Sequence, residues 1–402
     1  MGDSPKRESS PPRPEAESTS GAADSASPLG RVAEQSTSGP ATSPQASSPH
    51  AAEDVPHASE ADDVALEADA GNTPDDPAEM DERISNYTAS LASSVVDYPI
   101  EYGRRYHAFR PGVYAFPNDE AEMDRLDMSH AVKVRSIGNK LFLAPLEKEK
   151  VHKILDIGTG TGIWSIEMGD VFENAEIIGI DLSPIQPKWV PPNVKFEVDD
   201  VESPWVVSRK YDYIMCRHMV ASILDWPKLA NSQRPAYKAS PDTSMSSNLE
   251  PGGWAEFQEL SVKYHTQDGT FTEDHATYKW NRTLIEACKM IGRDACPGPK
   301  VEGWVRDQGF RNVHHQKFML PVGPWPKDPH YRDIGMLNLA QTLEGLEGFS
   351  LKLFCGVLGR TKEEVFVELS QVRKELKTGA FHAMFDLHVV YGQKPFETEA
   401  EE

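Results

Sequence analysis

Residues 153–163 read KILDIGTGTGI, and this stretch decides the fold. The mostly apolar run at 154–157 predicts a short strand, and IWSIEMGDVF at 163–172 predicts an amphipathic helix. The glycines between them let the backbone turn sharply and let a ligand approach main-chain N–H groups. The stretch is therefore typical of the first strand, loop and helix of an α/β fold that binds a ligand at the loop.

Short apolar runs on either side of longer amphipathic stretches predict the rest of the sheet. The predicted strands are EIIGIDL at 176–182, VKFEV at 194–198, YDYIMC at 211–216, WAEFQEL at 254–260, VHHQKFML at 313–320 and HAMFDLHVVYG at 382–392. The predicted later helices cover 272–292, 300–308, 331–347 and 361–377. Pro251-Gly252-Gly253 predicts a turn before the fifth strand. Five βα steps and two late strands that pair as a hairpin predict a Rossmann-like α/β fold, with a seven-stranded sheet and helices on both faces.

The N-terminal fifth of the chain has a different composition from the rest. Residues 1–82 are rich in Ser, Pro, Ala, Asp and Glu, and their 18 acidic and 4 basic residues account for −14 of the net charge of −22. Such a segment buries too little apolar surface to offset its ordering entropy. We predict a disordered acidic tail over 1–82, cap helices over 83–150, the α/β domain over 151–396 and a short tail over 397–402.

The remaining composition excludes several functional classes. The folded part keeps a small negative charge and no clustered basic face, so we expect no direct nucleic-acid binding. No run of about 18 apolar residues and no signal peptide is present, so we expect a soluble, intracellular protein of the nucleus or cytoplasm with no membrane contact. The four cysteines form no CxxC pair, and the neighbours His314 and His315 face opposite sides of a strand. We therefore predict no metal site.

The spacing around the glycine loop predicts the cofactor. A dinucleotide fingerprint needs its third glycine at position 163, which is Ile163 here, so an NAD or FAD domain is the weaker alternative. Asp156 opposes a pyrophosphate but favours a cation, and Asp181 stands where an acidic residue accepts from ribose hydroxyls. After the third strand, Asp199 or Asp200 can accept from an adenine amino group, and Asp200 is slightly preferred. We predict S-adenosyl-L-methionine, bound by Asp156, Gly158, Thr159, Gly160, Gly162, Asp181, Asp200 and Val201, with Tyr106 added from the cap; a plain tight turn is the structural alternative.

With these residues in place, the chain resembles the fungal LaeA-like methyltransferases, over about Asn86 to Pro395. The matching segments are GRRYH at 103–107, PNDE at 117–120 with DRLD at 124–127, SPIQP to ESPW at 183–205, CRHMVASILDWPKL at 216–229 and WPKDPHYRDIG at 325–335. The resemblance implies a class I fold that binds S-adenosyl-L-methionine, with family motif positions at Gly158, Gly160, Gly162, Asp181 and Asp200. It also implies velvet-type regulatory proteins as partners. It leaves the acceptor open between a secondary metabolite and a protein side chain.

One segment departs from the family pattern. Where the family has a short helix of the FxxAYxxL type, residues 230–248 read ANSQRPAYKASPDTSMSSN, with two prolines and several serines. A regular helix is unfavourable there. We interpret the segment either as a surface insertion or as translated non-coding sequence.

The chemistry predicts few catalytic residues. Methyl transfer is an in-line displacement, so a general base is needed only for poor nucleophiles. Candidates are His218, Arg217 and Glu259. In the alternative interpretations His218 is structural or faces solvent, Arg217 pairs with an acidic neighbour, and Glu259 is a solvated residue at the exit of the fifth strand. The stretch after the fourth strand, Cys216-Arg217-His218-Met219, lacks the Asp/Asn-Pro-Pro-Tyr/Phe motif that serves amide or exocyclic amino nitrogens. Tyr106 and His107 either fold over the cofactor or pack within the cap.

Two functional hypotheses follow from these patterns. In the first, the protein is a methyltransferase that acts on a fungal metabolite or a protein side chain. In the second, it is a regulatory protein-interaction module that retains cofactor binding with slow or no turnover. The sequence does not name the acceptor.

Overall fold

The computed structural model describes residues 95–112, 114–203, 205, 209–230 and 245–396. The predicted tails at 1–82 and 397–402 lie outside the described residues, as does most of the atypical segment at 230–248. Within that segment only Ala230 and the short run 245–248 are described.

Nine strands are formed by the described residues. A small antiparallel pair joins β1 and β2, and the other seven strands form one sheet. The strands are β1 Ile100–Glu101, β2 Arg104–Arg105, β3 Lys153–Ile157, β4 Glu176–Asp181, β5 Val194–Val198, β6 Tyr211–Arg217, β7 Leu249–His265, β8 Arg311–Pro321 and β9 Met384–Gln393.

The large sheet has the spatial order β5-β4-β3-β6-β7-β9-β8. The first five of these strands run parallel, and β9 is antiparallel to both of its neighbours. Asp156 in β3 pairs with Gly179 in β4 and with Met215 in β6, so the carboxyl ends of these three strands meet at one edge. The predicted seven-stranded α/β fold is confirmed. The two late strands do pair, but β9 inserts between β7 and β8.

The fifth core strand is longer than predicted. The predicted turn at 251–253 is wrong, because β7 begins at Leu249 and these residues form a bulge within it, with Gly252 at φ +81°. The pairing moves from Tyr211↔Leu249 to Tyr213↔Trp254, so the bulge holds the extra residues. Because β7 also continues to His265, Glu259 lies inside the strand instead of at its exit.

The helices cover both faces of the sheet. Their bounds are α1 Glu120–Ser136, α2 Ile163–Val171, α3 Trp226–Ala230, α4 Met245–Asn248, α5 Ala276–Met290, α6 Gly298–Asp307, α7 Pro329–Leu351 and α8 Lys362–Thr378. Neighbouring residues of β3 enter different apolar clusters: Ile154 packs with Trp164, whereas Leu155 packs with Ile214. A strand buried on both faces reads as a continuous apolar run, which is why β3 was recognisable in the sequence.

Helix α1 brings the cap to the edge of the sheet where β3, β4 and β6 end. Asp119 caps its first turn by accepting from the Glu122 backbone N–H at 3.1 Å. Asp119 also receives two hydrogen bonds from Arg104, at 2.5 and 2.7 Å, which tie α1 to the small β1–β2 pair. No helix among the described residues is long and apolar enough to span a membrane.

Candidate functional site

The loop after β3 needs glycine at two positions at least. Gly158 and Gly162 have φ values of +69° and +81°, in the left-handed region that favours glycine. A Cβ atom at position 158 would overlap the Met219 sulfur, and one at position 162 would overlap the Phe196 ring. The loop is therefore shaped by close approach as well as by its turn.

Asp156 holds this loop from beneath. Its Oδ2 accepts hydrogen bonds from Thr159 Oγ1 and Ser165 Oγ, both at 2.7 Å, and its side chain is buried. Burial raises the pKa of this carboxyl. Asp156 is not among the described residues that line the open space above the loop, so its contribution is to position Thr159 and the start of α2.

Asp181 ends β4 beside the same loop. Its Oδ2 accepts from the Gly160 backbone N–H at 2.9 Å, and its Oδ1 accepts from the Ser183 backbone N–H at 3.0 Å. Burial raises the pKa of this carboxyl to about 6. Unlike Asp156, it faces the open space above the loop.

The end of β5 separates the two neighbouring aspartates. Asp199 and Val201 line the open space, whereas the Asp200 carboxylate turns to Arg110, with Nη1 to Oδ2 at 2.5 Å, and to Ser203 at 3.1 Å. The structure therefore does not favour Asp200 over Asp199 as the acceptor for an adenine amino group. Asp199 is the carboxylate presented here, while Asp200 holds the loop that follows β5.

These residues surround one cavity, which we call the loop cavity. The carboxylates on its wall are Asp181, Asp199 and Glu202, and four basic side chains also line it, His130, Lys133, Arg217 and His218. The rest of the wall consists mostly of apolar residues and glycines. The residues concerned are Tyr114, Pro117, Leu126, Gly158, Gly160, Ile163, Ile180, Leu182, Ile185, Val201, Met219 and Ile223.

Arg217 is fixed by a neutral histidine. Its Nη1 lies 3.0 Å from His130 Nδ1, and His130 Nε2 lies 3.0 Å from Glu167 Oε2. Since the guanidinium can only donate, Nδ1 accepts and the ring proton sits on Nε2, facing the carboxylate. Burial, with Arg217 and Lys133 nearby, lowers the pKa of His130 to about 3, which agrees with the neutral ring. Within the described part of the chain, Arg217 is therefore linked by hydrogen bonds to an acidic residue through His130.

His218 lies at the centre of the site. It has a φ of +61°, unusual for a residue other than glycine, and its backbone N–H donates to Gln258 O at 3.1 Å. Its Nδ1 is 3.0 Å from Lys133 Nζ and 3.5 Å from Ser129 Oγ. Burial lowers the pKa of His218 well below its usual value, and Lys133 lowers it further. Strained backbone of this kind concentrates at functional sites.

Glu259 is a buried carboxyl behind the site. Its Oε1 accepts from the Met219 backbone N–H at 2.9 Å, whereas its Oε2 has no hydrogen-bond partner among the described residues. Burial raises its pKa to about 8. The interpretation of Glu259 as a solvated strand-end residue is wrong, and it lines neither cavity described here.

The cap contributes Tyr114 to the site, a residue that the sequence did not single out. Tyr106 is fully buried beneath Lys352, whose Nζ lies 4.2 Å from the ring centroid, and His107 bonds to Arg110 O at 3.1 Å. Neither lines the loop cavity, so the structure places both within the cap and does not place Tyr106 against the cofactor site. Tyr114 occupies the lid position instead. The RPGVY turn at 110–114 was the available signal, because Pro and Gly mark a chain reversal.

A second cavity adjoins the first, and we call it the apolar cavity. The two share Tyr114, Leu126 and His218 in their walls. Most of the remaining lining is aliphatic or aromatic. The lining residues of that kind are Phe116, Val220, Ala221, Leu260, Val262, Tyr264, Trp280, Leu284, Cys288, Ala295, Phe349 and Phe385.

The two histidines of β8 lie outside both cavities. His314 stacks on Tyr391, with ring centroids 5.1 Å apart, whereas His315 bonds to His388 at 2.9 Å and to Glu302 at 2.8 Å. Among the residues that the structure describes, no group of three potential ligands could hold a metal ion.

Comparison with known proteins decides the family. A protein-family model described as a methyltransferase domain matches residues 128–315. The chain is 46% identical over 308 residues to the methyltransferase pytC of Aspergillus terreus, across 76% of this chain and 91% of that protein. It is 34% identical to the secondary metabolism regulator LAE1 of Cochliobolus heterostrophus, across 74% of this chain and 94% of that protein.

This chain belongs to the LaeA-like fungal methyltransferases. A further relative is the protein-methionine methyltransferase laeA of Emericella nidulans, 31% identical across 73% of this chain and 76% of that protein. The LaeA-like chain is an S-adenosyl-L-methionine-dependent methyltransferase, as its sequence predicted.

The loop cavity fits this cofactor chemically. Carboxylates at Asp181 and Asp199 suit hydroxyl and amino donors of an adenosine group, and Ile180, Leu182 and Ile185 offer an apolar surface to a flat base. Arg217 suits an amino-acid carboxylate. A ligand can approach the loop backbone closely because Gly158 and Gly160 carry no side chains.

Proposed function

We propose that this LaeA-like methyltransferase acts on a small, uncharged and largely apolar molecule that binds in the apolar cavity. The observation that carries the proposal is the shared wall: Tyr114, Leu126 and His218 border both cavities. Sites for small molecules are typically concave and mostly apolar, with a few placed polar groups. A ligand in one cavity would meet a ligand in the other at His218.

The charges in the apolar cavity support an uncharged acceptor. Among the described residues of its wall, the acid–base pair is Glu122 with Arg125, and the two are matched by hydrogen bonds of 2.7 and 3.0 Å. Arg125 also donates to Gln341 Oε1 at 3.0 Å and lies 5.0 Å from the Phe349 ring centroid. Because this pair is buried and satisfied, an ionic acceptor would find no free counter-charge there.

Within this proposal, the residues predicted from the sequence divide into two groups. Asp181, Thr159 and the backbone of Gly158 and Gly160 line the loop cavity, and Val201 lines it after β5. Asp156, Gly162 and Asp200 shape the loops around it. We propose residues 151–396 as the methyltransferase domain and 83–150 as the cap that closes it.

When bound, S-adenosyl-L-methionine supplies an electrophilic methyl group on a sulfonium. The protein then has to orient the acceptor and exclude water, since methyl transfer is governed by alignment. Tyr114 and Leu126 from the cap, and His218 from the end of β6, would together set the position of the acceptor's nucleophile.

Labelling of a metabolite extract tests this proposal. The full chain is incubated with S-adenosyl-L-[methyl-¹³C]methionine and either a small-molecule extract or a protein extract of a producing fungus. We expect label in small molecules, and label confined to protein would contradict the proposal.

Ala295→Phe provides the matched test of the cavity. Ala295 is buried on the wall of the apolar cavity, so a phenyl ring there occupies acceptor space. Ala380→Phe adds the same ring at an exposed position. Ala295→Phe should retain S-adenosylhomocysteine binding and lose labelling, while Ala380→Phe should retain both. Labelling that survives Ala295→Phe would place the acceptor elsewhere.

A regulatory role is the second candidate, because the relatives include a protein named as a regulator of secondary metabolism. In that role the partners would be velvet-type proteins, and the protein would reside in the nucleus. Complementation of a deletion strain separates the two. If Gly160→Arg, which obstructs the loop cavity, restores metabolite production as well as wild type does, the regulatory role does not need the cofactor.

A further inference from the structure

Lys133 is a buried amine without an ion-pair partner. Its Nζ lies 2.6 Å from Ser129 Oγ, 3.2 Å from Ser129 O and 3.0 Å from His218 Nδ1. Within the described residues, no carboxylate forms an ion pair with it. A buried lysine in this situation favours the neutral amine.

The charges around Lys133 act in the same direction. Burial lowers its pKa well below the usual value, and the cations Arg217 from β6 and Arg125 from α1 lower it further. Only Glu259 from β7 opposes them, and this carboxyl is itself largely protonated near neutral pH because burial raises its pKa to about 8. The amine and the imidazole of His218 thus share a positively biased environment.

Hydrogen-bond accounting links the tautomer of His218 to the neutral amine. A neutral amine has two hydrogens and one lone pair. Ser129 O can only accept, and when Ser129 Oγ accepts the second hydrogen, the lone pair faces His218 Nδ1, which then carries the ring proton. In the described ranges His218 Nε2 forms no hydrogen bond, and the ring borders both cavities. In this tautomer Nε2 is a free proton acceptor at their junction.

A simple imidazole base would be unfavourable here. Protonation at Nε2 alone would create a buried imidazolium beside Arg217 and Arg125, and these neighbours already keep the His218 pKa low. Passing the Nδ1 proton on to Lys133 avoids that cation, because the positive charge then rests on an amine with three hydrogen-bond acceptors around it.

We infer that His218 accepts the proton of an acceptor hydroxyl at Nε2 while its Nδ1 proton passes to Lys133, so that the enzyme is an O-methyltransferase of an alcohol or phenol. The acceptor O–H bond breaks with its electron pair on oxygen, and a new N–H bond forms at Nε2. At the same time the Nδ1–H bond breaks and a third N–H bond forms at Nζ. The oxygen gains the methyl carbon as the carbon–sulfur bond breaks, leaving S-adenosylhomocysteine. This inference rests on the proposed function.

The relay selects a hydroxyl among uncharged nucleophiles. A thioether sulfur carries no proton, and an amine attacks through a lone pair it already has, so neither needs a base before attack. A hydroxyl is the poor nucleophile that gains from proton removal. The absence of the Asp/Asn-Pro-Pro-Tyr/Phe motif after β6 also argues against an amide or exocyclic amino nitrogen as the acceptor. Lys133 is a positioning residue and the final proton acceptor, whereas His218 meets the acceptor.

Nitrogen NMR of the imidazole ring tests the relay without an acceptor. The full chain, with ¹⁵N-labelled histidine and bound S-adenosylhomocysteine, is titrated from alkaline towards acidic pH over the range in which it stays folded; His218→Asn assigns the signal. At the highest pH we expect the ring proton on Nδ1 and none on Nε2. As the pH falls and Lys133 becomes an ammonium, the ring proton should move to Nε2. Lys133→Arg, a permanent donor, should hold the proton on Nε2 throughout. A wild-type spectrum that matches Lys133→Arg at every pH would overturn the inference.

The labelled product provides the second test. The ¹³C shift of the transferred methyl group distinguishes oxygen from nitrogen or sulfur, and an N-methyl or S-methyl product would contradict the hydroxyl assignment. With an O-methyl product in hand, Lys133→Arg should lower kcat by about 10²- to 10³-fold at unchanged S-adenosylhomocysteine affinity. If Lys133 instead only binds the cofactor, that affinity falls and the inference fails. If no small molecule is labelled, the proposed function fails, while the NMR titration still decides the relay.

Discussion

Substituting Glu259 by Gln should change how stability depends on pH. Glu259 is fully buried, its Oε2 has no partner within the described residues, and its pKa is raised to about 8 from a usual value of 4.5. A carboxyl with a raised pKa contributes its full stability below pH 4.5, and that contribution is lost as the pH rises through 8. The amide of Glu259→Gln keeps an oxygen for the Met219 N–H and carries no titratable proton.

The size of the effect follows from the shift. Each pKa unit corresponds to about 1.4 kcal/mol, so the ionised side chain of Glu259 costs about 5 kcal/mol once the pH exceeds 8. Between about pH 5.5 and 7.5 the wild type should lose about 3 kcal/mol relative to Glu259→Gln. The unpaired amide N–H groups add a penalty of about 1–3 kcal/mol to the variant, but this offset does not vary with pH.

Urea unfolding across this pH range measures the difference. The control is Glu256→Gln, because the Glu256 carboxylate is also buried but accepts from Leu143 N, Ala144 N, Tyr213 Oη and Gln258 Nε2. An amide cannot accept all of these bonds, so that variant should lose several kcal/mol. If the difference in free energy of unfolding between wild type and Glu259→Gln is the same at every pH, the reasoning is refuted.

Three further outcomes are expected. Asp181→Asn should weaken S-adenosylhomocysteine binding by about 10- to 100-fold in calorimetry, because a charged acceptor bond contributes about 1.5–3 kcal/mol; an unchanged affinity would remove Asp181 from the site. Wild-type affinity should fall below about pH 6, where Asp181 takes up a proton, and a flat profile would contradict this. Gly162→Ala should destabilise the protein by about 1–3 kcal/mol more than Gly359→Ala, because Gly359 has a similar φ of +70° but open space around it. Equal losses of stability would show that the Phe196 ring moves aside at no cost.

Much of the fold was predictable from local pattern. The strands β3, β4 and β6 are buried on both faces, so their apolar runs stand out between glycine and polar turns. The glycine loop and Asp181 were predictable because they directly follow these strands, and strand ends of a parallel sheet meet at one edge. The start of β7 was missed because Gly252 and Gly253 usually mark a turn, whereas here they form a bulge.

The cap was harder to predict because tertiary packing decides which side chain faces the cavity. Tyr106 and Tyr114 have similar sequence surroundings, and only Tyr114 borders the site. Lysine is rarely buried, so Lys133 attracted no attention. A signal did exist, because a polar stripe runs along one face of α1 at spacings of three and four residues and is buried; it consists of Glu122, Arg125, Ser129, Lys133 and Ser136.

Calorimetric titration of the full chain with S-adenosylhomocysteine tests the central claim most directly, with Gly160→Arg and Ala295→Phe alongside and NAD as a control ligand. The structure predicts binding by wild type and by Ala295→Phe, none by the folded Gly160→Arg variant, and none of NAD. Absence of S-adenosylhomocysteine binding by the folded wild type, or equal binding by Gly160→Arg, would contradict the assignment of the loop cavity to the methyl donor.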